Sequence, residues 1–363
     1  MMSKRIFFTV TNDLTFDQRM RRICGSLASN GYEVKLIGRK LAHSIPLERE
    51  RFEQKRLRCW FNKGKLFYAE YNLRLFFYLL FQKMDAICAI DLDTILPCLY
   101  ISKLRGKKRI YDAHELFTGL KEVVSRPAVY KTWMRIERRS VPQFKLGYTV
   151  SDGIAEEFRK RYHVEYKTIR NLPVTRELNR QVPGEKYILY QGAVNEARAF
   201  EWVIPAMKDI HSKLVICGDG NFMEELKELI RRNAVEDKIV LKGHLLPSEL
   251  WKIAQSAYMG IAIAENNGLN QYLALPNKFF DYIQAGLPQV TMDFPEYKKI
   301  NDKYNVALLI PTPDPALIAT TVNKLLDDTV LYQQLQQNCY IARNELNWEK
   351  EESKLLEFYK SVF

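Results

Sequence analysis

A chain of 363 residues with 47% apolar and 27% charged side chains is too long for one ordinary core and too apolar for a disordered segment, so two soluble globular domains are expected. Six scattered cysteines without a C-x-x-C, and five histidines with no pair at metal-ligand spacing, exclude a disulfide scaffold and argue against a dedicated metal cage. The net charge of +12 is uneven: residues 1–174 hold 34 Lys/Arg against 18 Asp/Glu, and residues 175–363 hold 21 against 25. The first half is therefore expected to face something anionic, whether nucleic acid, phospholipid or a phosphorylated substrate, with a solvated surface as the plain alternative.

Along the chain, short β-branched or aromatic runs alternate with amphipathic helices. "RIFFTV", "EVKLIG", "AICAI", "KRIYDA" and "LGYTVS" read as strands of the first half. The stretch "FDQRMRRICGSLASNG" reads as a helix with Met20, Ile23, Cys24, Leu27 and Ala28 on its buried face, capped by Thr15 or Asp17. Before it, Asn12 and Asp13 lie in a polar turn, and Arg19 and Arg22 on the helix stand ready for an acceptor or a phosphate. Between Arg51 and Lys83 basic residues are interleaved with aromatics, and the longest uncharged run, Leu75 to Gln82, is far below the roughly 20 residues of a membrane span. Leu73, Phe76, Phe77, Leu80 and Phe81 have helical spacing and read as core, leaving Lys55, Arg56, Arg58, Lys63 and Lys65, beside Trp60, Phe61 and Phe67, to meet an anionic bilayer.

A polar break from Asn171 to Lys186 divides the chain. Beyond it "YILYQG", "KLVICG", "KIVLKG", "YMGIAIA", "QVTM" and "VALLI" alternate with helices such as "NFMEELKELIRRNA" and "PSELWKIAQSA". Strand and helix alternating twice over predicts an α/β fold of two parallel-sheet domains, 1–174 and 175–345, and a final helix over 346–363 with the option of crossing back to the first. With no leader ahead of "KRIFFTV", the thiols read as reduced and the protein as cytoplasmic, with a peripheral place on the inner face of the cell membrane as an option.

Ligands of open α/β sheets bind past the carboxyl ends of the strands, which selects the candidates. Gly192 follows "YILY" with Arg198 six residues on, Gly218 follows "LVIC", and Gly243 and His244 follow "IVLK". Glu265 follows "MGIAIA". Then comes "ALPNKFFDYIQAGLP", a helix fenced by Pro276 and by Gly286 and Pro288, with Asn277 expected as its cap. Leu275, Pro276, Asn277 and Lys278 at its amino end suit an anion, and Asp281 one turn in suits sugar hydroxyls. In the first half His114 sits in "YDAHELF", past a strand, where capping calls for Asp112 and Glu115 but not for a histidine. Neither a G-x-x-x-x-G-K-[ST] nor a G-x-G-x-x-G occurs, which takes most of the support from the P-loop and ordinary dinucleotide readings.

Taken together, "TNDLTFDQR", "AIDLDTILP", "YDAHELF", "TVSDGIAEEFRKRY" leading to "IRNLP", "YQGAVNEARAFEWVIPAM", "LVICGDG", "IVLKGHLLPSEL" and "LPNKFFDYIQAGLP" resemble the retaining glycosyltransferases of family four, nearly end to end. The resemblance implies the GT-B fold, two Rossmann-like doubly wound parallel-sheet domains facing a central cleft. It implies transfer of a sugar from a nucleotide diphosphate donor to a hydroxyl of a glycan or lipid-linked acceptor, with the nucleotide-sugar as substrate, no cofactor and no metal required, in cell-surface polysaccharide or lipopolysaccharide synthesis. Carried onto matching positions, Asp281 would hold the ribose hydroxyls, Leu275 to Lys278 and Arg198 the diphosphate, and Gly243 and His244 the base. His114 would approach the donor sugar and the reacting oxygen, with Asn12, Asp13 and Arg19 on the acceptor side. Two departures stand out: Ala193 occupies the place after the "YQG" glycine where a basic residue is common, and Leu273 stands where a first acid is common, with Glu265 as its possible replacement. The rivals are a nucleotide-sugar epimerase or a sugar phosphorylase on the same plan, and a non-catalytic binder of an anionic surface. The absence of an RNP-type or helix-turn-helix signature speaks against nucleic acid.

Overall fold

The computed structural model describes residues 3–15, 17–42, 44–180 and 184–363. The chain divides into two compact units, Met1–Asn171 with Glu351–Phe363, and Leu172–Lys350.

The first unit is a parallel sheet of β1 (Arg5–Thr9), β2 (Glu33–Lys40), β3 (Glu53–Arg58), β4 (Ala86–Ile90), β5 (Lys108–Ala113), β6 (Leu146–Thr149) and β7 (Lys167–Thr168), in the order β3-β2-β1-β4-β5-β6-β7. Central strands such as β4, "AICAI", are buried along their whole length, as strands covered on both faces must be. The charged β3, "EQKRLR", lies at the edge, where unpaired backbone would otherwise invite association. After β1 the chain enters α1 (Gln18–Ser29), capped by Asp17, whose Oδ1 accepts the Met20 N–H at 2.9 Å; Met20, Ile23, Cys24 and Leu27 are buried, as the spacing predicts. The strand order reverses between β1 and β4, so the loops after these two strands flank the switch point.

The helix α2 (Gly64–Leu80) departs from expectation. Its core stripe is Phe67, Tyr71, Leu75 and Leu79, whereas Leu73, Phe77 and the following Phe81 are exposed. The segment holds two apolar stripes, and the sheet takes the one at i, i+4, i+8, i+12.

The helix Trp348–Val362 joins the first unit from Glu351 onward. Glu351 Oε1 accepts the Arg170 N–H at 2.6 Å, and the Tyr359 hydroxyl lies 3.2 Å from that of Tyr148. The Tyr359 ring packs edge-on to Tyr148 and tilted against Phe8.

The second unit repeats the plan with β8 (Tyr187–Gln191), β9 (Lys213–Cys217), β10 (Ile239–Gly243), β11 (Met259–Ala262), β12 (Gln289–Met292) and β13 (Ala307–Ile310), parallel in the order β10-β9-β8-β11-β12-β13. Its switch point lies between β8 and β11, which pair Ile188 with Met259. The polar stretch read as the break between the two halves is fastened to this unit. Arg180 donates to the carbonyls of Gly286 at 2.6 Å and Ala257 at 2.7 Å, and the Thr175 N–H donates to the Glu349 carboxylate at 3.1 Å. Residues 181–183 of that stretch lie outside the described residues.

Candidate active site

In the second unit the site grows from the carboxyl end of β8. Gly192 adopts φ 116°, and its N–H donates to the Cys217 carbonyl at 3.0 Å, tying the loop after β8 to the loop after β9. Gly218 is required by this approach, because a Cβ there would stand 1.8 Å from the Gly192 carbonyl oxygen. Arg198 is bracketed by two alanines in the left-handed region, Ala197 at φ 67° and Ala199 at φ 58°. Each costs on the order of 1 kcal/mol, a strain of the kind that clusters at ligand sites. The loop holds it: the Glu265 N–H donates to the Ala197 carbonyl at 3.3 Å, and Arg198 Nη1 reaches Gln271 Oε1 at 3.3 Å.

Opposite this loop stands the helix Asn277–Gln284. Pro276, extended at ψ 147°, is its cap and no side chain caps it; Asn277 is the first helical residue, so the expected Asn277 cap is corrected. The reason is Pro276, which holds the extended backbone a cap needs and places Asn277 inside the first turn. Phe279, Phe280, Tyr282 and Ile283 are buried. Tyr282 locks the helix to the sheet: its hydroxyl donates to the Leu189 carbonyl at 2.9 Å and accepts the Gln191 N–H at 3.1 Å, and its ring fills the space left by Gly260.

That lock fixes the chemistry. Gln191 Nε2 donates to Asp281 Oδ2 at 2.9 Å, while Gln191 Oε1 is buried without a partner among the described residues. Lys278 lays its ammonium 3.6 Å from the centre of the Tyr190 ring, a close cation–π contact. Burial and the neighbouring Arg198 push that ammonium well below the ordinary lysine value, against the pull of Asp281. Among the described residues no carboxylate lies within ion-pair distance of Lys278. Two cations thus meet beside a helix amino end, an arrangement that favours an anion. Leu275 is buried and Pro276 partly so, while Asn277 is exposed.

The other donor-side candidates are Gly243, His244 and Glu265, the last tied through its N–H to the Ala197 carbonyl. Gly243, at φ 64°, lines an open hollow of about 600 Å³ with Asp219, Gly220, Met223 and Leu241, and Arg198, Lys278 and Asp281 do not line it. His244 is exposed. The Glu265 carboxylate accepts from Asn267 Nδ2 at 3.2 Å.

In the first unit the candidate group centres on His114, directly after β5. Its Nε2 lies 3.0 Å from Asp112 Oδ2, its Nδ1 lies 3.9 Å from Asp91 Oδ2, and its N–H donates to Asp91 Oδ1 at 2.8 Å. Burial opposes charging the ring, but Asp112 and Asp91 overcome it and raise the imidazole above its ordinary value. Both ring nitrogens therefore face carboxyl groups, an arrangement that favours the charged ring more than water does. Burial pushes Asp91 up to about 7, Asp93 to about 6 and Glu115 to about 8. Asp91 sits at φ 52°, a conformation that L residues rarely adopt, and its carboxyl group accepts the His114 N–H.

Arg19, expected to meet an acceptor, is buried. Its Nη2 donates to Asp112 Oδ1 at 3.0 Å and its Nη1 to the Ile169 carbonyl at 3.1 Å, so it holds Asp112 in place for His114. Asn12 and Asp13 are likewise engaged in the turn: Asn12 Oδ1 accepts the Leu14 N–H at 2.9 Å, and Asp13 accepts from the Thr15 N–H at 3.1 Å and from Ser44 Oγ at 3.2 Å. Asn12 and Asp13 thus shape the loop after β1. Asp91, Asp93 and Gln191 escaped the sequence reading as site residues, although "AIDLDTILP" and "YQG" held the signal: polar residues directly at strand ends.

The chain is similar to known proteins in ways that bear on this geometry. The family described as "Glycosyl transferases group 1" matches residues 185–328. An alpha-monoglucosyldiacylglycerol synthase of Streptococcus pneumoniae is 26% identical over 151 residues, 38% of this chain and 32% of that protein; the match thus spans about a third of the curated relative. Among solved structures, a sucrose-phosphate synthase from Thermosynechococcus elongatus superposes with a TM-score of 0.83 at 16% identity over 99% of both chains. WaaG, a glycosyltransferase involved in lipopolysaccharide biosynthesis, gives a TM-score of 0.71 at 15% identity over 96% of this chain and 99% of its own. HepE of Anabaena, in complex with UDP-glucose, gives 0.73 at 11% identity over 98% and 99%. With two parallel-sheet α/β units, each wound as in these structures, the chain has the GT-B fold, and residues 185–328 of its second unit match the glycosyl transferases group 1 family.

Proposed function

We propose that this protein is a glycosyltransferase that moves a hexosyl group from a nucleotide diphosphate sugar to a hydroxyl of a glycan or lipid-linked acceptor, with retention of configuration. One observation carries the reading: Lys278 and Arg198 bring two cations together beside the amino end of the helix Asn277–Gln284, and Lys278 lacks an ion-pair partner among the described residues. A diphosphate would supply the missing counter-charge, and the hydroxyls of a ribose would meet Asp281, which Gln191 positions. In the transfer, the bond from the anomeric carbon to the diphosphate oxygen breaks, a bond to the acceptor oxygen forms, and the acceptor proton passes to the departing diphosphate. Lys278, Arg198 and the helix amino end stabilise the charge that gathers on the leaving group. His114, held by Asp112 and Asp91, serves the sugar or the reacting oxygen. On this scheme the protein's own cations do the electrostatic work and no metal is needed. A role in lipopolysaccharide or glycolipid synthesis is in keeping with what the relatives' names say of those proteins, and we propose cell-surface polysaccharide synthesis on the cytoplasmic side as its setting.

The test is a thermal-shift panel of UDP-, GDP- and ADP-sugars, in which the true donor raises the midpoint by mass action, by about 2.7 kcal/mol of stability at a hundred times its dissociation constant. No response to any nucleotide sugar sinks the reading. Product analysis with and without an acceptor separates transfer from epimerisation, which needs none.

A further inference from the structure

The exposed side of α2 is the feature that glycosyl transfer leaves unexplained. At 100° per residue, Leu66, Leu73 and Phe77 fall within about 40° of one another, opposite the buried stripe of Phe67, Tyr71, Leu75 and Leu79. They are 60%, 58% and 54% exposed, and at the two ends of the helix Trp60 and Phe81 are 84% and 79% exposed. A surface helix normally turns polar residues outward, so a row of large apolar side chains about 25 Å long marks a contact surface. The row widens onto α3 (Ile95–Leu104), whose Tyr100 and Leu104 are also exposed; Arg105, just past α3, donates to the Leu79 carbonyl at 3.3 Å and so fixes the two helix ends side by side.

The charges around this row identify the occupant. Residues 51–83 hold eight Lys/Arg against two Glu, and both acids are already engaged. Glu53 pairs with Lys35 at 2.7 Å; Glu70 accepts the Trp60 and Phe61 N–H groups at 2.9 Å and pairs with Arg74 at 2.7 Å. Arg74 in turn lies 4.6 Å over the Trp60 ring, so the one acid on the outer face serves to seat the tryptophan. Exposed Lys63 and Lys65 at one end, Lys83 at the other and Lys103 beside Leu104 rim the apolar row with cations. Among the described residues no helix is long and apolar enough to cross a membrane.

We propose that α2 is an in-plane membrane anchor: Leu66, Leu73, Phe77, Phe81 and Trp60 enter the boundary between headgroups and acyl chains of an anionic bilayer, and Lys63, Lys65, Lys83 and Lys103 contact its phosphates. The proposal rests on the glycosyl transfer reading only in that it makes a lipid-linked acceptor the natural one. It also revises the surface expected from the sequence. Phe67 is buried, and Arg56 is engaged by the Asp13 carbonyl at 2.5 Å and Thr15 Oγ1 at 2.8 Å, so neither is free to meet lipid.

The experiment is flotation of the whole chain with vesicles of phosphatidylcholine alone and of phosphatidylcholine mixed with phosphatidylglycerol. Binding to the mixed vesicles is expected to exceed binding to the neutral ones by about five-fold for each engaged cation. High salt should remove that preference but leave a residue of binding, because apolar insertion is not screened. The variant Leu73→Ser/Phe77→Ser/Phe81→Ser changes only exposed side chains and should lose more than ten-fold in binding with an unchanged melting temperature. Equal flotation of this variant and the parent protein overturns the proposal, as does absence of the parent from both vesicle types. A parent that sediments as a dimer and a variant that sediments as a monomer would assign the face to a second copy of the chain, which also overturns it. Nucleotide-sugar thermal shifts on the same samples keep the two readings apart: vesicle binding without any donor response would remove glycosyl transfer and leave the anchor standing.

Discussion

Replacing Lys278 by methionine tests the donor site most directly, because the structure assigns it two effects of opposite sign. The ammonium is disfavoured by burial and by Arg198, with Asp281 as partial relief, and its stem packs on Tyr190. Methionine keeps the length and the contact with the ring while removing the charge. Without ligand, exchanging a desolvated ion for an apolar side chain should therefore stabilise the second unit by about 1 kcal/mol, at the low end for such replacements. For a unit of this size that raises the melting temperature by about 2–4 °C. The sign follows from linkage: a lysine with a depressed value binds its proton less readily when folded, so its cost is full below the depressed value and fades as the pH rises toward the ordinary lysine range. With ligand the order reverses. Loss of a charge-assisted hydrogen bond to a diphosphate costs about 1.5–3 kcal/mol, roughly ten- to 150-fold in affinity. Scanning calorimetry of the ligand-free protein and titration calorimetry with UDP measure the two effects. A variant that melts lower than the parent, or one that binds UDP equally well, would refute the reasoning.

Asp281→Ala should weaken nucleotide-sugar binding by about 1.5–3 kcal/mol through loss of the acceptor for sugar hydroxyls, and an unchanged dissociation constant would remove that role. His114→Ala should lower kcat far more than it raises KM, while an equal loss of stability and turnover would point to a structural part. Asp112→Asn should destabilise the first unit by about 3–5 kcal/mol in denaturant melts, because it leaves buried Arg19 without its carboxylate. Stability of the first unit should fall as the pH rises from 5 to 8. Asp91, Asp93 and Glu115, raised to about 7, about 6 and about 8, hold protons in the folded state that the unfolded chain has released, and His114, also raised, acts in the same direction. Asp91→Asn should flatten that slope and stabilise more at pH 8 than at pH 5; an unchanged slope by thermal melts would speak against it.

What the sequence determined by itself is local. Alternation of buried strands with amphipathic helices, read from period 2 and period 3.6, specifies two parallel α/β units, and residues at strand ends name most of the loops that bear the candidate site, including those of Gly192, Arg198, Lys278 and His114. These features are legible because hydrophobic period and turn chemistry act between near neighbours. What only the tertiary structure decided depends on partners far apart in the chain. Arg19 and Asp112 are 93 residues apart, and their pairing turns an expected acceptor contact into a buried support for His114. Gln191 and Asp281 are 90 residues apart, and only the lock made by Tyr282 brings them together. The two apolar stripes of α2 both have helical spacing; which one is buried depends on the elements that pack against the helix, and those are set by distant parts of the chain rather than by the helix itself.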